Sequence, residues 1–187
     1  DAVFTDISDK LWQKKPLFVT TELKTDIHNL HPKYSELGAD RLANIVAALG
    51  LHTGNCIVID LGTATKFDAI SGEGEYQGGA IAPGLETSLR VLLSNASKLH
   101  DFSLGEPSRV VAQDSTIDHL NSGFVYGFSS LIDGMIIRMR GELNWERPHV
   151  ILTGGLSPLV QKYTQEITLT DPTITLKGLR LLFTKNR

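Results

Sequence analysis

Residues 58–84 read VIDLGTATKFDAISGEGEYQGGAIAPG, and this stretch decides the fold. It opens as an apolar run that extends back through Cys56 and Ile57 and breaks at Asp60, Leu61 and Gly62. A short continuous apolar run bounded by turn residues predicts a central strand buried on both faces. TKFDAIS and EYQGGAIA then alternate, or nearly so, around Ser71-Gly72-Glu73-Gly74, which predicts a meander of antiparallel strands. The same stretch raises a chemical question, because one carboxylate, Asp60, ends the apolar run among Gly62, Thr63 and Thr65. Gly62 admits close backbone approach, and the threonines offer the hydroxyls and N–H groups that phosphate oxygens need. Asp60 could hold a cation directly or through water. A plain β-turn with Asp as turn former accounts for the same letters. Spacing alone leaves the two readings level.

Working outward, SDKLWQKK reads as the tail of a helix, LFVTTEL as a short strand, and KTDIHNLHPKYSELG as a loop. In ADRLANIVAALG, Leu42, Ile45, Val46 and Leu49 recur at helical spacing between Asp40 and Gly50, a well-punctuated helix. LETSLRVLLSNASKL predicts an amphipathic helix through Leu85, Leu89, Leu92, Ala96 and Leu99, followed by a short strand at SRVV. Ser115 and Asp118 form a capping box for a long helix. Its apolar face is Ile117, Leu120, Phe124, Phe128, Leu131, Met135 and Met139. Gly123, Gly127 and Gly134 interrupt that helix at about 1 kcal/mol each against Ala, which implies close approach of another backbone or a ligand. HVILTGG predicts a second buried strand, and SPLVQKY a helix with Ser157 at its cap. ITLTDPTITLKGLRLLF predicts a strand, a turn at Pro172 and a helix capped by Thr175. VIDLGTAT and VILTGGLS echo one another, both apolar strands breaking into glycine and hydroxyl residues. The pattern as a whole is α/β, a strand meander with a crossover flanked by helices.

Bulk composition narrows the function classes. With 187 residues, 41% hydrophobic and 21% charged, the chain can bury a sizeable core without staples. A net charge of −3 gives no basic surface for nucleic acid or an anionic membrane, so an anionic ligand must be held by local donors. The single cysteine, Cys56, excludes an internal disulfide framework and reads as a small buried hydrophobe. No stretch has the length of a membrane span and the N-terminus lacks a signal-peptide layout, so the expectation is a cytoplasmic protein. The Walker A, dinucleotide, nucleophile-elbow and His-Glu-x-x-His motifs are all missing, and the six histidines show no metal-ligand spacing.

Asp40 invites two readings. An Asp ahead of an apolar helix is most often its N-cap, with Arg41 an exposed first-turn residue. Functionally, Asp40 could be a general base and Arg41 an anion clamp beside helix N–H groups. Gly78-Gly79, Pro83-Gly84 and Thr153-Gly154-Gly155 could let a nucleotide lie against bare backbone, although glycines mostly mark turns.

Taken in order, GADRLANIVAA, VIDLGTATKFDAI, GEYQGGAIAPG, STIDHLNSGFVYGFSSLIDGMIIRM and VILTGGLSPLV closely resemble the type III pantothenate kinases of the acetate kinase, sugar kinase and actin superfamily. The similarity runs from about Pro16 onwards. It implies an actin-like ATPase (ribonuclease H-like) fold, with residues 1–55 the remnant of a first domain and 56–187 a complete second domain. It also implies that ATP phosphorylates the primary hydroxyl of pantothenate, the first step toward coenzyme A. On that resemblance Asp40 is the general base, and His31, Gly38, Ala39, Asp40, Arg41 and Thr116 contact pantothenate, Thr116 across a homodimer interface. Gly62, Thr63, Gly154 and Gly155 contact ATP, and Asp60 binds a monovalent cation, potassium or ammonium, alongside the Mg²⁺ that accompanies ATP. Phosphoryl transfer asks mainly for positioning and charge neutralisation, which suits such a site.

Three departures accompany the resemblance. Family members carry an Asp-x-Gly-Asn-Thr phosphate loop, with an expected Mg²⁺ site, that this sequence lacks, so the chain is expected to be truncated and weak or inactive by itself. His31 stands where the family usually has Tyr, and Lys66 where a second Thr is frequent. The alternative function is a non-catalytic accessory or regulatory member of the family. The Gly-bearing helix over residues 115–140 is expected near a homodimer interface, because Phe124, Tyr126 and Phe128 cannot share one face.

Overall fold

A computed structural model describes residues 2–28, 36–95 and 102–187. After an N-terminal helix α1 (Ala2–Trp12), helix α2 (Ala39–Leu51) leads into strands β1 (Cys56–Leu61), β2 (Ala64–Ile70) and β3 (Tyr76–Pro83). Helices α3 (Leu85–Asn95) and α4 (Thr116–Leu143) cross over to β4 (His149–Thr153). The short α5 (Ser157–Val160) and a 3-10 turn (Gln161–Tyr163) then lead to β5 (Leu169–Thr170) and α6 (Ile174–Lys185). The five strands form one mixed sheet in the order β3-β2-β1-β4-β5. β1 to β3 make the antiparallel meander expected from the sequence, while β4 and β5 run parallel to β1. β1 is central, and four of its first five residues are buried.

Side-chain alternation divides the core in two. Cys56, Val58, Ile70 and Ile151 face α2 and α6, where they meet Leu42, Ile45, Val46, Ile174 and Leu182. Ile57, Ile59, Phe67 and Leu152 face the other way, onto Ile132 and Ile136 of α4. α2 is buried from Leu42 through Ala48, far more than an amphipathic stripe would give, because it lies between the sheet and α6. Close approach makes this possible: a Cβ on Gly178 of α6 would collide with the Ala43 carbonyl oxygen.

Several local expectations are corrected. LFVTTEL and SRVV form no strand. Val19 and Leu23 instead cover the α2 core cluster, and Val110 and Val111 are exposed, since β-prone residues need a free sheet edge to pair with. The buried stripe of α4 is Asn121, Ser122, Val125, Ser129, Ile132 and Ile136, one step around the helix from the expected face. Ser122 donates to the Val110 carbonyl and Ser129 to that of Val125, so small polar residues are buried in the stripe. Ile132 and Ile136 meet the strand residues, and the bulkier Phe124, Phe128, Leu131, Met135 and Met139 pack half-buried around them. The expected caps also shift: Leu156 precedes α5, and Thr173 precedes α6. Thr175 lies inside α6, where its hydroxyl donates to Asn44 Oδ1 at 2.7 Å. Ser115 does cap α4, accepting from the Asp118 N–H. Ala96 and Leu99 lie outside the described residues.

Candidate active site

The register of the meander builds the site. Asp60 of β1 pairs with Lys66 of β2, and Val58 with Asp68, so Asp60, Lys66 and Asp68 all point to the α2 side of the sheet. α2 runs antiparallel to β1 on that side. Its C-terminal half lies over the start of the strand, where the Cys56 thiol reaches the Ala48 carbonyl, and its first turn lies over the strand's end. Asp40 and Arg41 are thereby brought to the two strand residues that carry charge.

One ammonium joins the two carboxylates singled out in the sequence. Lys66 Nζ lies 2.5 Å from Asp40 Oδ2 and 2.9 Å from Asp60 Oδ2. The Asp40 side chain is 49% exposed, whereas those of Lys66 and Asp60 are 18% exposed. Burial would raise the Asp40 carboxyl, but hydrogen bonds from Lys66 and from the Arg41 N–H outweigh it and hold it below the ordinary value. Burial would likewise lower the Lys66 ammonium, and Asp40 and Asp60 together hold it above its usual range. Asp40 is therefore an ionised carboxylate reachable from solvent. It occupies the second position of α2 and makes no cap: Gly38 is the N-cap, without a side-chain bond.

Arg41 is half-buried rather than exposed. Its Nε and Nη2 grip Asp68, with Nη2 at 2.7 Å from Oδ1, and Nη2 also donates to the Tyr76 hydroxyl at 2.9 Å. Tyr76 in turn donates to Asp68 Oδ1 at 2.8 Å. Burial would lower the guanidinium pKa; Asp68 outweighs it and raises it. Nη1 has no partner among the described residues, which leaves one edge of the fork for an anion. Asp68 and Tyr76 were not singled out from the sequence. The available signal was a carboxylate between apolar neighbours, Phe67 and Ala69, in the second half of β2. A bulge adds the rest: Ile70 pairs with Tyr76 and Ala69 with Gly78, so the extra residue Gln77 returns Tyr76 to the face of Asp68.

The two glycine turns open at the same end of the sheet. β1 and β4 are parallel neighbours, and the loops at their carboxyl ends carry Gly62-Thr63 and Gly154-Gly155. Gly154 has φ +99°, and a Cβ there would strike the Leu61 backbone, so the turns touch. Gly62, Thr63 and Gly155 are exposed, and space around Gly155 is open. The carboxyl ends of adjacent parallel strands are where open α/β sheets bind ligands, and this donor set fits nucleotide phosphates. Gly38 and Ala39 are exposed at the head of α2, close to Asp40. Thr116 stands apart, exposed at the start of α4, the helix that packs on the opposite face of the sheet, and hydrogen-bonds to none of this group. His31 lies outside the described residues.

Similarity to known proteins agrees with this architecture. The sequence profile of the type III pantothenate kinase family matches residues 1–138. A type III pantothenate kinase from Geotalea daltonii is 42% identical over 187 residues, covering 99% of this chain and 72% of that protein. One from Syntrophus aciditrophicus is 39% identical over 184 residues, covering 98% and 72%. The chain belongs to the type III pantothenate kinase family. Among solved structures, a conserved putative Baf family transcriptional activator from Campylobacter jejuni is 23% identical with a TM-score of 0.56, covering 82% of this chain and 66% of that one. The Alp12 filament structure is 15% identical with a TM-score of 0.53, covering 77% and 52%. The fold of this type III pantothenate kinase homologue is the α/β actin-like ATPase fold, seen here as a mixed five-stranded sheet.

A free monovalent cation at Asp60 fits this homologue poorly. Potassium exchanges its hydration shell for several oxygens, yet Asp60 already has an ammonium at 2.9 Å. No group of three or more His, Cys, Asp or Glu among the described residues is placed to hold a metal ion by protein side chains alone.

Proposed function

We propose that this protein binds ATP and pantothenate at the α2 end of the sheet and phosphorylates the primary hydroxyl of pantothenate. The observation that supports this best is the Asp40–Lys66–Asp60 bridge. It fixes a solvent-reachable carboxylate at the end of the sheet where the Gly62-Thr63 and Gly154-Gly155 turns open. ATP, when bound, supplies the phosphoryl group. The N–H groups of Gly62 and Thr63 and the Thr63 hydroxyl hold phosphate oxygens, and the bare backbone of Gly154-Gly155 seats the adenosine. The free edge of Arg41 takes the pantothenate carboxylate, with Gly38 and Ala39 lining the approach. Asp40 orients the primary hydroxyl and accepts its proton as the new O–P bond forms and the bond between the γ-phosphorus and its bridging oxygen breaks, ADP leaving with the electron pair. A carboxylate of lowered basicity suits this, because phosphoryl transfer asks more for positioning than for strong general-base help. These 187 residues contain no Asp-x-Gly-Asn-Thr loop, so they hold phosphate from one side, and turnover by this chain alone is expected to be weak.

We further propose that the protein works as a homodimer in which Thr116 serves the partner's site. Space is open beside Gly123, Gly127 and Gly134 of α4, so these glycines are not needed for packing within the chain. Gly123 and Gly127 line an apolar groove of about 260 Å³ with His119, Leu120, Phe124, Phe128 and Leu131.

Asp40→Asn tests the chemistry. It should bind pantothenate within a few-fold of wild type by calorimetry and lower formation of 4'-phosphopantothenate by about 10²- to 10⁴-fold. Unchanged turnover would remove Asp40 from its role. A wild-type chain that binds neither pantothenate nor ATP would favour the accessory reading over the kinase.

A further inference from the structure

We propose that the ε-ammonium of Lys66 is the resident cation of this site, a tethered charge standing where the resemblance places a free potassium or ammonium ion at Asp60. What that cation serves rests on the kinase reading above; its presence does not.

Strand register begins the case. Lys66 is the cross-strand partner of Asp60, so its stem leaves β2 on the face that Asp60 occupies. The ammonium then reaches both carboxylates at hydrogen-bond distance, 2.9 Å to Asp60 and 2.5 Å to Asp40, with the lysine side chain only 18% exposed. Two carboxylates converging on one point repel, and one takes up a proton unless a cation lies between them. Lys66 is that cation. Its position is fixed as well, since both carboxylates hold it at hydrogen-bond distance and the strand register directs its stem to them. A lysine, unlike an ion, cannot dissociate with salt composition. Asp60 is thus neutralised and Asp40 kept ionised whatever monovalent ion the solution holds.

The full 187-residue chain and its Lys66→Thr variant decide the matter. Each is melted, and titrated with pantothenate, in potassium chloride and in tetramethylammonium chloride at equal ionic strength. Wild type should give the same melting midpoint in both salts and a pantothenate Kd that differs by less than twofold. Lys66→Thr should melt higher in potassium than in tetramethylammonium and bind pantothenate at least fivefold more tightly there. A potassium-specific rise in the wild-type midpoint overturns the proposal, as does a Lys66→Thr variant indifferent to potassium. Should that variant not fold, Lys66→Gln carries the same comparison. A wild type that binds no pantothenate in either salt sinks the kinase reading alone, and the melting comparison, which needs no substrate, still decides the cation.

Discussion

Asp68 shows how much a single residue can carry without contact with any reacting group. Its side chain is 4% exposed, and that of Arg41 is 16% exposed, so the pair is buried and doubly bonded. Removing one partner of such a pair leaves an uncompensated charge and costs about 3–5 kcal/mol. Asp68→Asn should therefore lower the free energy of unfolding by about that amount in urea titration, and weaken pantothenate binding by freeing Arg41. The Asp40–Lys66 pair lends itself to a pH test with a definite sign. A depressed Asp40 pKa gives stability that is present above the unfolded value and lost as pH falls through the folded one. A raised Lys66 pKa gives stability that is present below its unfolded value and lost as pH rises through the folded one. The melting difference between wild type and Asp40→Asn should thus stay flat from about pH 5 to 9, between the ordinary carboxylate and ammonium ranges, and shrink below it. Cys56, by contrast, is pushed up to about 11 by burial, the inert hydrophobe its apolar neighbours suggested.

At the scale of the element, α2 and α6 matter most, because the first turn of α2 carries the proposed base and clamp. The α2–α6 contact leaves no room at Gly178, whose added Cβ would meet the Ala43 backbone. Overpacking at such a contact costs about 1–3 kcal/mol. Gly178→Ala should lower the melting temperature accordingly and, by shifting the head of α2, reduce pantothenate affinity together with stability. A stability loss that leaves affinity intact would show that α6 supports the fold and not the site. Helical periodicity located α2 correctly, yet it could not show burial on every side, since that depends on a second helix more than 120 residues away. In α4 periodicity chose between two adjacent stripes and took the bulkier one. Small polar residues could be buried there because each finds a backbone partner: Asn121 at the Gly105 N–H, Ser122 at the Val110 carbonyl and Ser129 at the Val125 carbonyl.

For the whole molecule, the open glycine face of α4 is where the proposed second copy would pack. Gly127→Leu would fill the groove while leaving the buried stripe of α4 untouched. In light scattering wild type should run as a dimer and the variant as a monomer with an unchanged melting profile at low concentration; a wild-type monomer at micromolar concentration would count against the dimer. Much of this protein was legible in its letters alone. Apolar runs ending in glycine and threonine set the central strands, and alternation set the meander. The order of the motifs pointed to the family, because strand burial and turn chemistry are local properties that sequence writes directly. Only the tertiary structure brought α2 antiparallel over β1, matched Lys66 to Asp60, and used the bulge at Gln77 to seat Tyr76 on Asp68. Such pairings depend on register, and register is settled by how whole faces pack, which no short stretch of sequence contains.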